Sequence, residues 1–540
     1  MFKYKDKLYE IQAGDTWQDV CVRNGLEYAL AACVGGRPQS LTLPAAGEAH
    51  ALTYADEEGR RIYERSLRFL MLIAVEKLSP GTGVRFENTL GGGILVSLKG
   101  KDADDAFIKE LEAEMKRIAK AALPFKLTVV SKQEAISYFE ANGRLDTARL
   151  LAWREKDTFN LYECGGLKDY FYGEMVPDTS YVGVFSLVRA DREIVLILPD
   201  LDTPSRPARF VQMNKLLDTF KESNEWLRIL GVQNVSDLNE LTMNGNLREF
   251  IRVNEALMDM KINRIAEMII ERGARLILIA GPSSSGKTTF CNRLSIALKV
   301  HGQKPVKLSL DDYYLDRDKV PLDEDGKPDL ECIEALDVDM INTQLAQILR
   351  GEEVEMPTFD FYTQKRSGKT HKIRVDTSAP VLIEGIHGLN ERLTSSVPAN
   401  EKFKIYISAL MNLNIDDHNR IRTTEARLIR RMVRDSAFRG TPIEQTLEMW
   451  DSVRRGEIRY IFPFQELADV MINSSLVYEL AIMKNYIYDK LCAVTPDKPW
   501  YARARRLVKF LNYIVPADAE DEIPLNSLLR EFIGGSCFYR

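Results

Sequence analysis

From Gly281 to Thr289 the chain reads Gly-Pro-Ser-Ser-Ser-Gly-Lys-Thr-Thr, a fit to G-x-x-x-x-G-K-[ST] without deviation. The chemistry this spacing supports is capture of a nucleoside triphosphate. Gly281, Pro282, Ser283, Ser284, Ser285 and Gly286 make a loop whose amides can turn inward onto phosphate oxygens. Lys287 reaches the outer phosphates, Thr288 offers a hydroxyl to Mg²⁺, and Thr289 opens the helix whose positive end faces the same anion. Further on, Asp311 starts the run Asp-Asp-Tyr-Tyr. A carboxylate placed there can take the proton of an attacking hydroxyl, the base role in phosphoryl transfer. Asp312 is read as facing solvent. Seven arginines, at 420, 422, 427, 430, 431, 434 and 439, crowd one segment, the pattern of a solvated helix face or a nucleic-acid patch.

These groups need elements to position them. Leu276–Ala280 is a short apolar run, read as a buried strand. Thr289–Leu298 has the spacing of an amphipathic helix. Pro305–Leu310 reads as a second strand that ends at Asp311, and Val381–Glu384 as a third with Glu384 at its end. Val470–Ile472 reads as the last. In open α/β sheets ligands sit beyond the carboxyl ends of the strands, so Asp311 shares a crevice with the glycine loop.

The chain has 540 residues, a length that predicts two to four domains. It is 45% hydrophobic and 28% charged with net charge −6, which gives no global reason to bind nucleic acid. The start, MFKYKDKLYE, has no apolar core, and the apolar runs are too short to span a bilayer; a cytosolic protein without membrane contact is expected. The seven cysteines form no C-x-x-C pair and read as reduced thiols. The five dispersed histidines argue against a histidine-based zinc site.

Residues 1–57 alternate polar and apolar around a capped helix starting near Asp15, a small ubiquitin-like α+β module. The layout resembles a TGS domain. Residues 58–200 follow with an amphipathic helix over Tyr63–Val75, a glycine-led strand over Gly91–Leu98, and the segment Lys168–Ser180. Their order resembles the second domain of threonyl- and alanyl-type synthetases, where H-x-x-x-H and C-x-x-x-H form an editing or metal site. The matching positions hold Arg65, Phe69, Phe171 and Met175, none able to replace imidazole or thiolate. The resemblance implies a pocket kept as a shape, its chemistry gone, in a binding or scaffolding role; RNA binding by this half is the further option. A hairpin over Val182–Leu198 and a helical connector over 201–274 come next, with Ile262–Ile270 packing beside the sheet.

Leu308-Ser-Leu-Asp-Asp-Tyr-Tyr314 is similar to the L-S-x-D-x-F-Y element of the uridine kinase and phosphoribulokinase family. The resemblance implies that Asp311 is the general base and Tyr314 a substrate-side tyrosine. Glu331, in Leu330-Glu-Cys-Ile-Glu-Ala-Leu-Asp337, stands where the family holds ribose hydroxyls, with Asp329 as a substitute. Phe359 and Gln364, in Met356-Pro-Thr-Phe-Asp-Phe-Tyr-Thr-Gln-Lys-Arg366, stand where pyrimidine-specific members carry a tyrosine and a base-reading histidine, so the base preference is expected to be altered. Glu384 matches the acidic residue serving Mg²⁺. Arg430-Arg431-Met-Val-Arg434-Asp435 with Arg439-Gly440 matches the lid, which gives Arg431, Arg434 and Arg439 the task of neutralising the transferring phosphoryl group; the other arginines are left at the surface. His387 matches no catalytic position. The expected architecture is a P-loop α/β kinase domain with a parallel sheet flanked by helices over 275–475, behind the two α+β modules. A helical extension over 476–540 would pack on the N-terminal domains or on another subunit of a homo-oligomer. The implied reaction moves the γ-phosphoryl group of ATP to the 5′-hydroxyl of a nucleoside. The alternatives are a kinase of another hydroxylated metabolite, such as a sugar phosphate, and a nucleotide-gated RNA-associated regulator.

Overall fold

The computed structural model describes residues 1–360, 363 and 365–538. The N-terminal module is a five-stranded sheet in the order Lys7–Tyr9, Phe2–Tyr4, Ala49–Leu52, Ala31–Val34, Arg37–Gln39, crossed by the helix Trp17–Arg23. Thr16 caps that helix and Asp19 returns the bond to the Thr16 amide, so two otherwise orphaned donors are satisfied together. Phe2 and Trp17, both fully buried, meet at 5.4 Å and close the small core.

The helix Glu57–Leu78 departs from its amphipathic reading. Every residue from Arg61 to Val75 except Arg65 is buried, because a four-stranded antiparallel sheet (Ser186–Ala190, Glu193–Ile197, Gly93–Leu98, Val84–Leu90) belongs to the same half while the C-terminal half covers its polar side. The synthetase-like pocket has also closed. Phe69, Phe171 and Met175 are at most 1% exposed, and the Phe69 and Phe171 rings lie 5.7 Å apart. The replacements therefore remove the space as well as the chemistry. Arg65 is held by the carbonyl oxygen of Glu174, which accepts from its guanidinium.

The sheet that carries the site is parallel throughout, in the order Val306–Ser309, Val381–Glu384, Leu276–Ala280, Lys402–Ser408, Val470–Asn473. Leu276–Ala280 lies at its centre and is buried along its whole length, as expected for a strand covered on both faces. The connector helix Leu247–Arg272 covers one face together with Lys287–Val300; Ile262, Ile265 and Ile269 join the same core as Ile277, Ile279 and Phe290.

The arginine-rich segment is not a surface patch. Arg420, Arg427 and Arg430 are 6%, 1% and 0% exposed, because each meets a buried carboxylate far away in sequence. Arg420 and Arg422 converge on Glu64, Arg427 pairs with Glu457, and Arg430 with Glu479. Glu64 belongs to the helix Glu57–Leu78, and Arg61 of that helix pairs with Glu425 of the helix Thr423–Phe438. Burying such charges is tolerated only with partners of this quality, so the two halves of the chain are locked through them. The C-terminal helix Tyr501–Leu511 binds the N-terminal half too. Arg37 donates to the Tyr501 hydroxyl at 3.2 Å, and Arg503 and Arg506 pair with Glu57 at 2.8 and 3.0 Å. Among the described residues no helix is long and apolar enough to cross a membrane.

Candidate active site

The glycine loop takes its shape from two backbone requirements. A Cβ at Gly281 would stand 1.9 Å from the carbonyl oxygen of Ile407, so only glycine lets the loop leave the central strand this close to its neighbour. Ser284 and Gly286 both have positive φ, +60° and +86°, which turns successive amides inward to make a concave anion site. Gly286 then caps the helix Lys287–Val300. Burial pulls the Lys287 ammonium below its ordinary pKa, while Glu384, Asp311 and Glu531 act to hold it charged. Its Nζ donates to the carbonyl oxygen of Pro282 at 3.2 Å.

Above the loop lies a cleft with about 1100 Å³ of empty space including its mouth. Ser283 to Thr288 form its floor, and Asp311 and Glu384 stand at the ends of neighbouring strands. Gly281, Pro282 and Thr289 flank that stretch in sequence and are buried, Thr289 fully. The Ser309 hydroxyl accepts from the Asp311 amide at 3.3 Å and thereby caps the turn that presents Asp311. Glu384 Oε1 accepts from the hydroxyls of both Thr288 and Ser309, each at 3.2 Å. Burial drives the Asp311 pKa upward against the pull of Lys287, Arg439 and Arg434. Burial, reinforced by Asp311, raises Glu384 to about 7. Asp312 is half-buried rather than facing solvent, because its carboxylate accepts from the Phe359 amide at 3.4 Å.

Tyr314, Glu331 and Phe359 line the far side of the cleft, with Leu315 and Ile386 between them. The Tyr314 and Phe359 rings meet at 5.7 Å, and the Tyr314 hydroxyl donates to the carbonyl oxygen of Leu330 at 3.1 Å. Glu331 is raised to about 7, chiefly by burial, and its Oε2 is buried without a partner among the described residues. A Cβ on Gly456 would stand 2.3 Å from that of Glu331, so the glycine makes room for the carboxylate. Asp329 is engaged elsewhere: it accepts from the Glu331 amide and the Tyr460 hydroxyl, both at 3.1 Å. Gln364 lies outside the described residues. His387 is buried behind the cleft, 1% exposed, and burial holds it neutral with a pKa near 4.

Arg431, Arg434 and Arg439 hang over the cleft from the helix Thr423–Phe438 and its C-terminal cap. All three share one counter-ion, Asp435, at 3.2, 2.8 and 3.8 Å. Arg431 also donates to the Ser283 hydroxyl at 3.0 Å. One carboxylate for three guanidiniums leaves cationic charge aimed at the space above the loop. Sequence spacing did not single out Asp435 as that shared anchor, nor Arg317 at the mouth of the cleft, nor Glu531, which enters it from the C-terminal extension.

Residues 276–480 match the phosphoribulokinase / uridine kinase family. The uridine kinase of Bacillus pumilus is 32% identical over 199 residues, which cover 36% of this chain and 85% of that protein. This chain belongs to the phosphoribulokinase / uridine kinase family. The uridine kinase of Lactobacillus helveticus is 28% identical over 208 residues, 38% of this chain and 90% of that protein. The family supplies the kinase fold and implies ATP as phosphoryl donor. The N-terminal region has a different relationship. The threonine–tRNA ligase of Nitratidesulfovibrio vulgaris is 30% identical over 197 residues, 34% of this chain and 30% of the ligase. The chain thus spans less than a third of that ligase, and its N-terminal region resembles a segment of it.

Proposed function

We propose that the chain is an ATP-dependent kinase of the 5′-hydroxyl of a nucleoside. The observation that carries this reading is the division of one cleft into two chemistries. Its donor side holds Lys287, Thr288 and the three lid arginines; its acceptor side offers an aromatic pair, Tyr314 and Phe359, beside the carboxyl of Glu331. A flat base can lie against the rings while Glu331 hydrogen-bonds ribose hydroxyls. A sugar phosphate would need cations on that side, where among the described residues Arg317 is the one lining residue of that sign outside the donor side.

In this mechanism the loop amides and Lys287 hold the triphosphate, and Asp311 accepts the proton of the attacking hydroxyl as the new P–O bond forms. Arg431, Arg434 and Arg439 offset charge on the transferring group. The residues present fit a divalent cation: Thr288 and Glu384 place two hard oxygen donors 3.2 Å apart at the foot of the loop, the sparse protein ligation typical of Mg²⁺ in phosphate sites. Mg²⁺ bound there would neutralise the β- and γ-phosphate oxygens.

The test is a screen of ribonucleosides and sugar phosphates with ATP and Mg²⁺, read as kcat/KM. Nucleosides should lead; a sugar phosphate at the head of the ranking would replace the reading with that alternative. The same assay checks a pH dependence. Asp311 must be ionised to accept a proton, and burial raises its pKa together with that of Glu384. Activity is therefore lost as pH falls through these raised values, and the acid limb of kcat/KM should lie nearer neutrality than the ordinary carboxylate range of about 4. An acid limb at ordinary carboxylate pH would show that neither group governs turnover.

A further inference from the structure

The loop helix already has an anion at its N-terminus, and the protein supplies it. Glu531 Oε2 accepts from the Thr289 amide at 3.1 Å. Glu531 lies beyond residues 276–480, which match the kinase family, so this carboxylate comes from the C-terminal extension. Its charge is felt by both Lys287 and Glu384 across the cleft. Amides at this end of a glycine loop are the donors that cradle the α- and β-phosphates of a nucleotide. A carboxylate bonded to one of them competes for the donor and repels the incoming phosphate.

The segment carrying Glu531 is built to hold it there. Leu528, Leu529 and Phe532 are fully buried. Leu528 lies against Gly286, where a Cβ would meet its Cδ2 at 3.6 Å. Arg430 of the lid helix stands 4.9 Å from the Phe532 ring centroid. Arg530 donates to the Glu520 carboxylate at 2.9 Å and to the carbonyl oxygen of Ile523 at 2.9 Å, which fixes the turn before Glu531. After the short helix Arg530–Ile533 the chain turns at Gly534, whose φ of +91° and ψ of −177° suit glycine alone. A Cβ there would strike the Phe438 ring, at 2.5 Å, so the turn abuts the last residue of the lid helix.

We propose that the C-terminal segment is an intramolecular gate on the nucleotide site, with Glu531 occupying a phosphate-binding amide until a nucleotide displaces it. The proposal rests on reading the glycine loop as the nucleotide site. Displacement frees the Thr289 amide for phosphate, and because Phe532 and Gly534 touch the lid helix, the same movement changes the support under Arg430 and Phe438. Nucleotide entry and lid position are then linked through one segment.

The test is direct equilibrium binding of ATP, ADP and adenosine to the full chain, wild type and Glu531→Gln, with no acceptor present. The substitution keeps size and removes charge. ATP and ADP should bind about tenfold tighter to the variant, the scale of one lost charge-assisted competitor, while adenosine, which has no phosphate, should bind equally to both. In wild type, amides of 525–535 should exchange hydrogen faster when ATP is bound. Unchanged or weaker ATP binding by the variant, equal tightening of adenosine, or unchanged exchange would each overturn the gate. If both proteins bind ATP equally, only the gate falls; if neither binds it, the nucleotide reading fails and the gate with it.

Discussion

Asp311→Asn is expected to lower kcat by about 10²–10⁴ while ATP continues to bind. The substitution preserves the shape of the side chain and the turn that presents it, because the cap from Ser309 runs through the residue 311 backbone. What changes is the proton chemistry. The carboxylate accepts, whereas the amide nitrogen of asparagine donates and its carbonyl is far too weak a base to take a proton at neutral pH. The raised pKa of Asp311 bears on the size of the effect: a base whose pKa lies closer to the working pH has more driving force for abstraction, so its loss is felt more. Steady-state rates with the best acceptor from the screen and a separate ATP binding curve check both halves. Turnover within threefold of wild type would remove Asp311 from the chemistry; lost ATP binding would make its role structural instead.

The sequence exposed those parts of the site that depend on short-range pattern. The loop from Gly281 to Thr288, the strand ends at Asp311 and Glu384, and the lid spacing of Arg431, Arg434 and Arg439 are each local, and the parallel sheet gathers them into one cleft. The parallel α/β class followed from the same local signals. What stayed hidden depends on partners distant in sequence. Arg420, Arg427 and Arg430 have the composition of a solvated face, and only the folded chain shows that Glu64, Glu457 and Glu479 neutralise them in the interior. Spacing over Tyr63–Val75 reads as an amphipathic helix, but its polar residues Glu64 and Arg68, with Arg61 just before them, are buried by the other half of the chain, a contact no periodicity encodes. Glu531 meets Thr289 across 242 residues of sequence, within a tail that carries no motif of its own. The replacements at Phe69, Phe171 and Met175 announced lost chemistry, but that they also fill the space follows from packing alone.

Arg434→Ala is expected to cost about 10³ in kcat, the lower end of what an arginine acting on a transferring phosphoryl group contributes. Among the lid arginines its environment is the most committed to the reacting centre. The Arg439 side chain is 56% exposed and that of Arg431 is tied to Ser283 of the loop, whereas that of Arg434 is 12% exposed and close enough to influence both Lys287 and Asp311. A guanidinium that acts on both Lys287 and Asp311 is placed to offset charge that would develop as a phosphoryl group moves. Asp435 holds Arg434 through Nη2 at 2.8 Å and shares its other bonds with Arg431 and Arg439, so the fork is oriented before substrate arrives and little reorganisation remains for the transition state. Two further variants separate charge from geometry. Arg434→Lys keeps the charge and loses the planar fork, and should recover only part of the rate. Asp435→Asn leaves all three arginines in place without their common anchor, and should lower kcat less than Arg434→Ala but raise the KM for ATP, because the lid then closes from a looser start. Single-turnover rates and ATP affinities for the three variants decide the matter. If Arg434→Ala keeps kcat within about tenfold of wild type, below the range such arginines contribute, the transferring group is stabilised by Arg431 or Arg439 and Arg434 serves only to position Asp435.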